Sequence, residues 1–132
     1  MRNIVVIVAG ILMVLASLAH GLLGWPAVRA ELVHEHANTD LISGLAAGWL
    51  WGSACMLTSG AIVTISGIQM RRGNNSGALA VRAIAVCFLA FGLLAFVLEG
   101  FDPHFLIFVV LGLLAAASFF GPIRATANSG RH

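Results

Sequence analysis

Charge is scarce in this sequence. Only 9% of its 132 residues are Asp, Glu, Lys or Arg, and lysine is absent altogether. The seven cations are therefore all arginines, too few and too scattered to form a basic stripe for nucleic-acid phosphates. Cysteine is equally sparse: Cys55 and Cys87 sit inside apolar runs, without CxxC or zinc-finger spacing, which excludes a disulfide framework and predicts packing as their role. Glycine-rich phosphate loops, serine-nucleophile elbows and zinc-hydrolase motifs are also missing. What remains is apolar. With 60% hydrophobic residues and a mean hydropathy of +1.00, the composition is that of a chain whose solvent is a bilayer.

A hydrocarbon layer of ~30 Å takes about 20 apolar residues as a helix. Four stretches meet that length: residues 4–23, 41–69, 79–98 and 105–123. The expected fold is all-α, an integral membrane four-helix bundle forming a single transmembrane domain over 1–132, with a short disordered tail at 124–132. Arg2, Arg71, Arg72, Arg82, Arg124 and Arg131 flank one side and only Arg29 the other, so the positive-inside rule puts both termini in the cytoplasm. Arg82, a few residues into the third span, is expected to snorkel to the headgroups. The acids Glu31, Glu35, Asp40, Glu99 and Asp102 gather on the opposite face, with every histidine except His132. Met1-Arg2 and the later Ser17-Leu18-Ala19 resemble a signal peptide and its cleavage site. The apolar run continues through Leu22 and Leu23, which suits a retained helix better.

The second stretch amounts to ~43 Å of helix, more than a bilayer needs. If Trp49 and Trp51 mark the outer interface, residues 40–48 rise above it and need cover. Residues 27–37, which follow Pro26, are expected to supply that cover as a short extracytoplasmic helical cap between the first and second spans. Gly44, Gly48 and Gly52 recur every four residues, a period continued by Met56 and Gly60, and predict a helix-packing seam, within the monomer or between two copies. Gly10, Gly92 and Gly112 offer the other helices similar points of approach.

The residues able to carry chemistry lie near the outer edge. Leu15-Ala16 to His20-Gly21 and Leu94-Ala95 to Glu99-Gly100 share one pattern, which would set His20 and Glu99 at equal depth as a proton-sharing or headgroup-binding pair. Alternatively, His20 reaches the interface and bonds to water or a loop carbonyl. His104 follows Asp102-Pro103 and either caps the fourth helix or joins that pair. Glu31, His34 and Glu35 share a helix face, and His34 or His36 with carboxylates is a candidate metal site; a solvated polar face is the alternative. Haem between His20 and His104 is a further candidate. The expected ligand contacts are His20, Trp25, His34, His36, Trp49, Glu99 and His104.

Four helices, a first loop longer than the third and glycine-rich spans resemble the DoxX-like group of small bacterial inner-membrane proteins, over roughly residues 4–123. The resemblance implies a bacterial cytoplasmic membrane and quinone-linked or thiol redox association. Three functions follow as expectations. The first is a bundle binding a small apolar or amphipathic ligand, a quinone or lipid, near the outer face. The second is an accessory subunit of a larger membrane complex or a homo-oligomer. The third is a membrane enzyme using His20 and Glu99 as an acid-base pair.

Overall fold

The computed structural model describes residues 2–120, so the tail and the expected end of the fourth span lie outside the described residues. Among the described residues all regular structure is helical. The chain begins with α1 (Arg2–Ala19), which passes through one π-helical turn (His20–Gly24) into α2 (Trp25–His34). Together they form one continuous helix of 32 residues, Asn3–His34, and not a span followed by a separate cap. Pro26 explains the π turn. At that position the ring has no N–H for the carbonyl of residue 22 and would press against it. Widening the preceding turn accommodates the ring, and the Trp25 N–H bonds to the His20 carbonyl five residues back.

The rod ends in a turn that accounts for its backbone hydrogen bonds. Ala37 N–H donates to Leu32 O at 2.9 Å and His36 N–H to Val33 O at 3.1 Å. His36 sits at φ 57°, the left-handed position glycine usually takes. Asn38 then caps α3 (Thr39–Arg71) by accepting from the Leu41 N–H at 2.7 Å. After a turn with Gly73 at φ 87° comes α4 (Ala78–Leu98). Gly100 and Phe101, both at φ 67°, lead to Asp102, which caps a 3₁₀ turn (Pro103–Phe105). That turn opens α5 (Leu106–Ala116), and a second 3₁₀ turn (Ala117–Phe120) follows. Three helices, Asn3–His34, Thr39–Arg71 and Ala78–Leu98, are long and apolar enough to cross a membrane. The fourth apolar helix, Pro103–Phe119, is shorter.

The helices pair as two antiparallel hairpins, the α1–α2 rod on α3 and α4 on α5, with α1 also packed against α5. The core is made by Val6, Ala9 and Met13, Val63 and Met70, Val81, Ala85 and Phe88, and Leu111 and Ala115. Their spacings of three, four and seven place each set on one helix face. All belong to the end of the bundle where the chain starts. No residue from 18 to 59 or from 93 to 110 is buried, so the hairpins share a core at one end and part at the other.

Packing at the shared end depends on glycine. A Cβ on Gly60 would lie 2.8 Å from the Val14 nitrogen and 2.9 Å from the Gly10 carbonyl oxygen, so backbone meets backbone there. Gly92 and Gly112 do the same between α4 and α5, with a Cβ 2.9 Å from Val109 N and 2.8 Å from Leu89 Cγ. The seam expected at Gly44 and Gly48 is not a contact within the monomer: nothing stands within 4 Å of a Cβ at either. Arg82 reaches the far end of the last described helix, its Nη2 donating to the Ser118 carbonyl at 3.3 Å, with the guanidinium 5.5 Å from the Phe119 ring centroid.

Candidate functional site

Where the hairpins separate, they enclose an open cavity of about 310 Å³. One wall is α3, which presents Gly52, Cys55, Met56 and Ser59, the i, i+3, i+4 and i+7 positions of one face. The facing wall is Cys87, Phe88 and Phe91 of α4 with Phe108 of α5. Phe108 meets Phe91 edge to face at 4.9 Å, so the two rings brace each other. His20, from the π turn of the first rod, closes one end and brings the only imidazole of the lining.

His20 is held from two sides. Its ring stacks on Trp49 with centroids 4.2 Å apart and planes 4° from parallel. The Trp49 indole N–H donates to the His20 carbonyl at 2.7 Å, the same oxygen that serves the π turn. Gly24 lets the indole in, since a Cβ there would lie 2.9 Å from the Trp49 ring. Two serines continue the polar contact between the rods. Ser17, 3% exposed, donates to the Ser53 carbonyl at 2.7 Å, and the Ser53 hydroxyl donates to the Trp49 carbonyl at 3.0 Å. Gly52 leaves room in front of the imidazole, a Cβ there falling 3.8 Å from His20 Nε2. The result is an imidazole of fixed orientation at the edge of an apolar, aromatic-walled cavity, an arrangement suited to orienting one polar group of a mostly apolar molecule.

The expected site residues divide. His20, Trp49 and Gly52 come together, and Trp25 stands behind them with its ring 6.2 Å from that of Trp49. Glu99 does not join. It caps the end of α4, eight residues and ~12 Å of helix beyond Phe91, and among the described residues no hydrogen bond or ion pair links it to His20. His104 is exposed in the 3₁₀ turn, where its backbone N–H donates to Asp102 Oδ1 at 2.9 Å, so it shares the capping turn and not the cavity. His34 and His36 lie at the far tip of the rod: His34 Nδ1 pairs with Glu35 Oε1 at 3.3 Å, fully in the open, and His36 shapes the turn. Among the described residues no three His, Cys, Asp or Glu side chains converge to hold a metal ion.

Cys55, Met56, Ser59, Cys87, Phe88, Phe91 and Phe108 line the cavity without having been expected as ligand contacts. Both cysteines are free and exposed, not packed in the core. Their spacing along α3 and α4 is a signal, but a faint one. In a helix apolar on every side, cavity-facing and outward-facing positions carry the same kind of residue, so period gives no contrast. No protein-family model matches this chain, and neither a curated protein nor a solved structure is detectably similar to it.

Proposed function

We propose that this chain is a multi-pass protein of a bacterial cytoplasmic membrane, with both termini cytoplasmic, that binds a small apolar or amphipathic molecule of the quinone or lipid class between its two hairpins. The observation that carries this reading is the cavity itself. It lies above the shared core, is walled by three phenylalanines, and offers the oriented imidazole of His20 and the Ser59 hydroxyl as polar contacts. Its size is at the lower end of ligand pockets, enough for a headgroup or ring with the tail left in the bilayer. Orientation rests on the arginine distribution, and the DoxX-like layout points to the same membrane.

Native mass spectrometry of the full chain from mild detergent tests the proposal. The wild type is expected to retain an apolar molecule, and Gly52→Leu, which fills the space before His20, to lose it. Retention by Gly52→Leu equal to wild type, or a wild type that carries nothing and takes up no added quinone, contradicts the reading. A second reading, an accessory subunit, is favoured by one observation: the open Gly44 and Gly48 face, beside the exposed Leu41 and Leu45, is a surface a partner helix can approach closely. It requires co-purification of another chain, lost in Gly48→Leu.

A further inference from the structure

The only two cysteines of the chain line the same cavity from opposite walls, both free and both exposed. On the α3 wall Cys55 lies one turn from Gly52, where a Cβ would fall 3.8 Å from His20 Nε2, so thiol and imidazole border the same space. The remaining lining is glycine, a thioether, one hydroxyl and three phenyl rings, with no carboxylate or guanidinium. An ion entering such a site gives up hydration that nothing restores, whereas an uncharged apolar molecule does not.

We propose that the cavity is a site of covalent modification, in which Cys55 and Cys87 add to apolar electrophiles of the α,β-unsaturated carbonyl class that partition into the bilayer. This rests on the reading above that the cavity lies in a membrane. Each thiol loses its proton to water, and the sulfur lone pair forms a bond to the β-carbon. The carbon–carbon π pair shifts to the α-carbon, which takes a proton from water. The product is a thioether, and nothing is oxidised or reduced. The adduct occupies the volume a reversible ligand needs, so modification and ligand binding exclude each other.

The test uses the full chain in lipid nanodiscs with two maleimides of matched chemistry, N-phenylmaleimide and a sulfonated analogue, followed by intact mass. Cys55→Ala and Cys87→Ala assign each adduct. The phenyl reagent is expected to modify both thiols of the native protein, and the sulfonated one to react about a hundredfold more slowly until detergent unfolds the chain. Thiols that react only after unfolding, or equal rates for the two reagents, overturn the proposal. Reversible ligand retention is read separately, on the unmodified wild type. Loss of ligand retention with reactive thiols would thus count against the ligand reading alone, and retention with inert thiols against this one alone.

Discussion

Replacing Gly60 by alanine tests how the two rods of the first hairpin are held. The added methyl carbon would sit 2.8 Å from the Val14 nitrogen, 2.9 Å from the Gly10 carbonyl oxygen and 2.9 Å from Val14 Cγ2. Optimal contacts fall near 3.5–4.0 Å, so the rods must separate by roughly 0.7–1 Å, a gap that forfeits about a quarter to a half of each dispersion contact across the seam. In a membrane no hydrophobic term replaces that loss, because lipid is as apolar as the protein surface it would cover. Overpacking of this kind costs about 1–3 kcal/mol. Gly44→Ala is the matched control. It sits on the same helix with nothing within 4 Å, and helix propensity alone favours alanine there by about 0.5–1 kcal/mol. Unfolding in mixed micelles titrated with a denaturing detergent, followed by circular dichroism, compares the two. The expected order is Gly60→Ala below wild type and Gly44→Ala at or above it. Equal stability of the two variants would refute the assignment of the seam to Gly10 and Gly60.

Other expectations concern single contacts. Trp49→Phe removes the indole bond to the His20 carbonyl and should cost about 1 kcal/mol in the same assay while freeing the imidazole, visible as broadened His20 resonances in selectively labelled protein. Arg82→Ala should destabilise by about 1–2 kcal/mol through the lost bond to the Ser118 carbonyl, and Arg82→Lys should recover only part, since a lysine cannot repeat the planar contact with Phe119. His36→Gly should stabilise the chain by about 1 kcal/mol by relieving the left-handed backbone at the tip, with no effect on ligand retention; a loss of retention would return His36 to the site. A cysteine placed at exposed Arg29 in a chain without native cysteines should be labelled by an impermeant reagent from outside intact cells, and one at Arg72 should not.

Much of the fold is legible in the sequence because length and apolar content alone define membrane-length helices. The polar turns at Glu35–Asn38, Gly73–Ser76 and Glu99–Asp102 punctuate them clearly. Gly10, Gly92 and Gly112 are readable as points of approach, since only close backbone packing favours glycine inside a helix. Pro26 misleads, because a proline after a loop-like Gly24-Trp25 starts a helix as naturally as it interrupts one. Only the π turn, fixed by the Trp25 to His20 bond and by Trp49 seated on Gly24, shows that the rod continues. The four-residue period runs from Gly44 through Gly48, Gly52 and Met56 to Gly60, but only its Gly60 end meets backbone, because residue spacing carries no information on where two helices cross. His20 is conspicuous in the sequence as a polar group in an apolar span, and Trp49 and Gly52 are visible there too, but not that the three meet. A repeated Leu-Ala pattern suggested Glu99, whereas the folded chain sets His20 among Trp49, Gly52 and the cysteine-bearing walls.

A ligand that enters the cavity comes to lie beside His20. Trp49 reports on that space directly, because its ring is stacked on the imidazole. In a Trp25→Phe, Trp51→Phe background, Trp49 emission from protein in nanodiscs can be followed while a short-chain quinone is added. A saturable quench that disappears in Gly52→Leu is the expected result. A quench that rises linearly with quinone in the membrane and is identical in both proteins would contradict binding at this site.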